Sequence, residues 1–146
     1  MDKKIAFWFK GFETAVCAMD NEARRQMFGT LAQTCLEQGS LDFYNQIWRE
    51  VNGEMDTFFA ALDKVEGVRC NVVVPNERYH LYFETCTCPM VEQGYIKTSA
   101  CCECSRQSVE HVFQTLWLGI EAAVALKQTI LGGAPDCWLE IIIQKH

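Results

Sequence analysis

Positive charge is scarce in this sequence. Its 146 residues hold 13 Lys and Arg against 19 Asp and Glu, a formal net charge of -6. A phosphate backbone needs a basic face, so no nucleic-acid partner is expected. Long apolar runs are missing as well. No stretch of 18 apolar residues occurs, so nothing spans a membrane, and no membrane partner is expected. The first apolar stretch, Met1 to Phe9, is interrupted by Lys10 and Glu13 too early for a secretory signal. That reading places the protein in the cytosol, where thiols stay reduced and a disulfide framework is not expected. The sequence also contains no phosphate-binding glycine loop, no H-E-x-x-H and no G-x-S-x-G, which removes most of the case for nucleotide chemistry and serine hydrolysis.

What the sequence does hold is sulfur. Nine cysteines are present, an odd count that does not fit full pairing. Cys86 and Cys88 form a C-x-C followed by Pro89. Cys101, Cys102 and Cys104 form a C-C-x-C, and Cys137 follows a Gly-Gly-Ala-Pro-Asp turn. Sulfur this dense points to a soft-metal site or a reactive thiol.

About half of the residues are hydrophobic, 49%, which suffices for one core and one domain, residues 1–146. Residues 1–66 read as mainly helical. Asp20 to Gln38 carries Ala23, Met27, Leu31 and Cys35 near helical period, with Asp20 as N-cap and Gly39 as the stop. Leu41 to Val51 follows with Phe43, Tyr44, Ile47, Trp48 and Val51, and Glu54 to Val65 with Met55, Phe58, Phe59, Leu62 and Val65. These stripes are core-facing helix surface.

Residues 67–146 read as sheet with a cysteine-rich site. Val68 to Val74 is β-branched and ends at Pro75. Arg78 to Cys86 alternates, with Tyr79, Leu81, Phe83 and Thr85 on one face and Arg78, His80, Tyr82, Glu84 and Cys86 on the other. A weak strand is expected near Tyr95 to Thr98, and a helix from Ser105 to about Leu118. A closing hairpin runs from Ala123 to Leu131 and from Cys137 to Gln144 around the turn Gly132 to Asp136. In its second strand Cys137, Leu139, Ile141 and Ile143 share the core face. The expected architecture is α+β, with N-terminal helices packed on one antiparallel sheet.

Thiolates suit zinc, copper(I) and iron–sulfur clusters. Cys86, Cys88, Cys101, Cys102, Cys104 and Cys137 are the candidate ligands, with Cys88, Cys101, Cys104 and Cys137 preferred. Zinc is the expected ion and an iron–sulfur cluster the lesser alternative. The spacing is not that of a structural zinc finger, and buried structural thiols are an equal reading. A catalytic thiol is the third. Cys104, placed just before a helix, would be the nucleophile, with His80, Glu84 and His111 as base and carboxylate candidates for cleavage of a C–N or C–S bond. The plainer reading makes His80, Tyr82 and Glu84 the solvated side of an edge strand, and His111 an ordinary helix residue. His146, at the end of the chain, is given no role.

Cys88-Pro89, Cys104-Ser105 and the run from Gly133 through Cys137 to Ile141 carry a resemblance. This half, roughly Tyr79 to Ile143, resembles the 4-vinyl reductase domain and the family named for L-2-amino-thiazoline-4-carboxylate hydrolase. The resemblance implies an α+β fold with a pocket between helices and sheet and a cysteine-lined site able to hold a metal. The first group implies a small-molecule-binding module. The second implies hydrolysis of a cyclic thiazoline. Thr129 stands where the vinyl-reductase domains often carry a cysteine. The expected function is therefore a small-molecule-binding protein with a soft-metal site, the alternative a thiol-dependent hydrolase. The expected partner is a small apolar or heterocyclic ligand, and a homodimer is allowed.

Overall fold

The computed structural model describes residues 1–144; His146 lies outside the described residues. Four helices come first: α1 (Lys3–Ala18), α2 (Asn21–Cys35), α3 (Leu41–Glu50) and α4 (Met55–Leu62). Strands β1 (Val68–Val74) and β2 (Arg78–Phe83) follow, then the short α5 (Pro89–Glu92) and the longer α6 (Glu103–Leu116). Strands β3 (Glu121–Gln128) and β4 (Cys137–Gln144) complete the chain. The strands form one antiparallel sheet in the order β1-β2-β4-β3. The α+β expectation, helices on an antiparallel sheet, is met.

Alternation assigns the two faces of the sheet. Tyr79 and Leu81 on β2, Leu139 and Ile141 on β4, Val124 on β3 and Cys70 on β1 are buried. They meet the apolar stripe of α4 (Met55, Phe58, Phe59 and Leu62) and that of α6 (Val109, Val112, Phe113 and Leu116) in one core. The spacing of each stripe puts its residues on one side of a helix, so a single face of each can be withdrawn from water. Phe59 lies flat on Tyr79 with ring centroids 4.1 Å apart. Asp56, at the start of α4, accepts hydrogen bonds from the Asn76 amide and the Tyr79 hydroxyl, which fixes the β1–β2 turn to the helix layer. Asn76 holds that turn with φ of 60°.

Several local expectations need correction. Helix α1 falls within the stretch expected to be mainly helical, but its apolar residues crowd together without a clean period that would mark its bounds; Asp2 caps it by accepting from the amides of Lys4 and Ile5. Gly39 does not stop α2. One π-helical turn, Leu36–Ser40, carries the chain into α3, with Leu36 buried in the main core. A glycine free of positive φ only weakens a helix slightly, and core anchorage on both sides outweighs that. No strand forms at 95–98 among the described residues; α5 and a 3-10 turn, Ser99–Cys102, occupy this region instead. Helix α6 begins two residues earlier than expected, so Cys104 lies inside its first turn. Strand β2 is interior, paired with β1 and β4, and not an edge strand.

A second, smaller core joins α1 and α2 to the segment 91–104. Val16, Phe28, Ile96 and Cys101 are its buried members, with Phe9, Phe12, Met27, Val91, Cys104 and Leu131 against them. Helix α1 is held there by Phe9 stacked on Tyr95 at 5.4 Å and by the Lys97 amide donating to Glu13 at 2.6 Å.

Candidate functional site

The thiols converge at one end of the sheet, and the strand register explains how. Phe83, the last residue of β2, pairs with Cys137, the first of β4. The chain leaving β2 toward Cys86 and Cys88 therefore starts beside Cys137. Thr129, just past β3, is buried at the same end. Its hydroxyl accepts from the Gly132 amide at 2.9 Å. A side chain at position 132 would meet that same hydroxyl, because a Cβ built there lies 2.9 Å from it. Gly132 thus serves the turn. Cys102, at the N-cap of α6, lies near Thr129, whose hydroxyl partly offsets the rise of its thiol. The Cys137 Sγ accepts from the Ile130 amide at 3.4 Å.

Each of these sulfurs feels its neighbours. Burial, reinforced by Cys137, Cys86 and Cys88, pushes the Cys102 thiol up to about 11. Burial, with Cys35, Cys88 and Cys102 nearby, pushes Cys104 up to about 11. Cys101, a buried member of the second core, rises to about 12 through burial and then the carboxylate of Glu13, with Cys102, Cys17 and Cys104 adding to it. Burial also raises Cys137, partly offset by the Ile130 amide. All of these are neutral thiols at neutral pH. Every cysteine except Cys70 belongs to this end of the molecule. Cys70 is separate, in the main core, pushed up to about 12 by burial and by Asp63.

Sequence reasoning gathered Cys86, Cys88, Cys101, Cys102, Cys104 and Cys137, and the structure brings them to one region. It did not gather Cys17 and Cys35. These sit near the C-terminal ends of α1 and α2, Cys17 3.7 Å from the Thr98 hydroxyl. Nothing in their local sequence marks them, since only the packing of those helices onto 98–104 brings them close. All nine thiols are free. Among the described residues, no three His, Cys, Asp or Glu side chains stand in an arrangement that holds a metal ion.

The catalytic constellation expected from sequence is not assembled. Cys104 is raised, opposite to the direction a thiolate nucleophile requires. The first turn of α6 favours the anion, but burial among other sulfurs outweighs it. His80 lies on the face of the sheet turned away from α6, since its neighbours Tyr79 and Leu81 are the ones facing the core. It hydrogen-bonds Glu140 across the β2–β4 pair at 3.1 Å, and that bond lowers the Glu140 carboxyl. Glu84 lies beyond the end of β2, 4.0 Å from Arg69. His111 is about 10 Å along the axis from Cys104, two turns of helix away, and bonds Gln114 at 3.0 Å. Among the described residues no hydrogen bond joins a cysteine to a histidine.

The expected apolar pocket is also filled. Between α4, α6 and the sheet, Tyr44, Phe58, Phe59, Phe113 and Ile141 leave about 10 Å³, room for roughly one water molecule. The larger space is a groove of about 400 Å³ between α2 and α6, lined by Gln26, Thr30, Gln33, Gln107, Glu110 and His111. It is open and polar.

The face of the sheet opposite the helices carries a ladder of side chains from three strands. Arg69 lies 4.1 Å over the Tyr82 ring and pairs with Asp136 at 2.9 Å. Tyr82 stacks on Trp138 at 5.9 Å, and Trp138 meets His80 edge-on at 5.2 Å.

No family model matches the chain, and no curated protein matches it. Among solved structures it is similar to a crystal structure of a trafficking protein particle complex subunit 3 from Naegleria fowleri, covalently bound to palmitic acid. The TM-score is 0.48 at 13% identity, over 97% of this chain and 93% of that one.

Proposed function

We propose that the thiol-lined end of the sheet captures a soft metal ion, with zinc as the ion to test. One observation carries the reading. Thiols from three separate places, the chain leaving β2, the start of β4 and the N-terminus of α6, are brought to one end of the sheet near Cys102, though not into contact. Packing needs no such gathering, and thiolate donors suit zinc and softer ions. The chemistry of the donor set fits a metal, but the spacing is open. Closure would bring Cys86 or Cys88, on the irregular segment after β2, onto Cys102 and Cys137. Cys102 takes the place that sequence reasoning gave to Cys101, because Cys101 is buried in the second core beside Glu13 and Cys17. A bound ion would replace the thiol protons and draw the segment against the sheet end. Binding would therefore release protons and stiffen this end of the fold.

The alternative reading, a thiol-dependent hydrolase, lacks a base within reach of Cys104 and a lowered thiol. The metal reading accounts for the gathered sulfurs without either. Titration with Zn²⁺ against a chromophoric chelator tests it. One equivalent should bind, more tightly as pH rises, because the thiols held at about 11 must lose their protons. The pair Cys102→Ser and Cys137→Ser should abolish binding, while Cys35→Ser, at an exposed position, should spare it. Zinc binding that survives the double substitution, or no binding by the reduced wild-type chain, overturns the reading.

A further inference from the structure

We propose that the exposed side of α1 is a docking surface for an anionic lipid bilayer. This inference is independent of the thiol site and rests on a different part of the molecule. Helix α1 packs on the body through Phe9, Phe12 and Val16, which join the second core. Its first turns also carry large apolar side chains open to solvent, Phe7 opposite the packed stripe and Trp8 and Ile5 along its border. Phe7 is 70% exposed, Trp8 64% and Ile5 45%. Exposed aromatics of this size are unusual on a protein surface, and clustered ones mark contact surfaces.

Helical geometry orders this side. At about 100° per residue, Phe7 lies opposite the packed stripe, with Lys10 and Lys3 on one side of it and Lys4 on the other, while Trp8, stacked on Phe12, and Ile5 border the packed stripe. Lys4 thus stands between the two aromatics, and Lys3 and Lys10 lie together on the other side of Phe7. Among the described residues none of these lysines forms an ion pair. Lysine stems can lie along an apolar surface while their ammonium groups reach outward. Tryptophan, with an apolar ring and a polar N–H, suits the boundary between headgroups and acyl chains.

Charge decides the occupant. Residues 1–10 hold three lysines against the single Asp2, while the rest of the chain carries all of the acidic excess. An acidic protein is repelled by an anionic bilayer everywhere except at a local basic patch. Here that patch coincides with the most exposed aromatics. The other exposed apolar residues, such as Val72 to Val74 on the β1 edge and Leu118, have no such group of lysines among them. Helix α1 would lie in the membrane plane without crossing it; among the described residues no helix is long and apolar enough to span. The hydrogen bonds of Asp2 to Tyr95 and of Glu13 to the Lys97 amide keep the open side facing outward.

The test is co-sedimentation of the full chain with vesicles of pure phosphatidylcholine and of phosphatidylcholine mixed with phosphatidylglycerol. The chain should pellet with the mixed vesicles, and less as salt screens the lysines. Replacing Phe7 and Trp8 together by Ser should weaken that binding by at least about tenfold, since both rings supply the buried apolar area. Replacing Lys3, Lys4 and Lys10 by Gln should remove the preference for the mixed vesicles; should the aromatic variant fail to fold, this variant decides alone. Failure of the wild-type chain to bind the mixed vesicles, or binding that both variants retain, overturns the proposal. So does a dimer in sedimentation equilibrium that the Phe7/Trp8 variant abolishes while vesicles stay unbound, because the surface would then be a self-interface.

Discussion

The two cores of this chain are built from different material. The sheet-backed core is aromatic and closed. Phe58, Phe59, Tyr79, Phe113 and Leu139 are each 2% exposed or less, and their rings touch in a continuous series from Tyr79 through Phe59 and Phe113 to Trp117. The second core has four buried members ringed by half-buried residues, and two of its contributors are cysteines. Regular elements that repeat at fixed spacing build the first. Helix ends and irregular chain between 91 and 104 build the second. The first core contains the separate Cys70, and the second contains Cys101 and Cys104.

Truncating one phenylalanine in each core tests that contrast most sharply. Phe59→Ala should destabilise by about 3–5 kcal/mol, since its ring is surrounded and the void cannot collapse. Phe28→Ala, at 3% exposure in the second core, should lose less, because half-buried neighbours can close over the gap. Urea denaturation of both variants measures the difference. Equal losses would mean that the second core is as rigid as the first.

The same contrast governs what could be read without coordinates. Met55, Phe58, Phe59 and Leu62 repeat at helical spacing, and all four are buried. In β4, Leu139 and Ile141 are fully buried while Trp138, Glu140 and Ile142 face away, as alternation requires. Periodicity is local, so one sequence shows it. The site depends on long-range pairing instead. Phe83 opposite Cys137 puts Cys86 near Cys137, a fact of register that no local pattern encodes. The partner of His80 proved to be Glu140, across a strand pair, and not Glu84 four residues further along its own chain. Helix α1 escaped because Ile5, Ala6, Phe7, Trp8 and Phe9 are apolar in succession, which hides the narrow face that packs.

The second test compares the cores by pH. Cys70 in the main core and Cys101 in the second are both held up to about 12 from an ordinary 9.0 by burial. A thiol raised on folding stays protonated in the native state while the unfolded chain ionises. Its contribution is complete below about pH 9 and is lost as pH climbs toward 12. Each such thiol gives a slope of at most about 1.4 kcal/mol per pH unit. Stability should therefore be insensitive to these thiols near neutrality and fall above pH 9. Cys70→Ala and Cys101→Ala should each flatten the alkaline fall, read from urea midpoints across that range. If Cys101→Ala leaves the fall unchanged while Cys70→Ala reduces it, the second core already admits water at high pH, and the contrast between the cores is sharpened.

The smallest effects come from two indoles on opposite sides of the sheet. Trp117 belongs to the main core, and its Nε1 donates to the Gly53 carbonyl at 2.8 Å. Trp117→Phe keeps most of the ring but leaves that carbonyl without its donor, so about 1–2 kcal/mol should be lost. Trp138 lies on the face away from the helices, stacked on Tyr82. Its Nε1 is buried with no hydrogen-bond partner among the described residues. An unpaired buried donor is a penalty that the native state already carries. Trp138→Phe removes that donor and keeps an aromatic ring beside Tyr82 and His80. The lost ring area and the removed penalty oppose each other, so the net change should stay within about 0.5 kcal/mol. Thermal and urea denaturation of the two variants give the comparison directly. A loss at Trp138 as large as that at Trp117 would show that its N–H finds a partner in solution, and that the sheet's far face is held by polar contacts as firmly as the core is by aromatic ones.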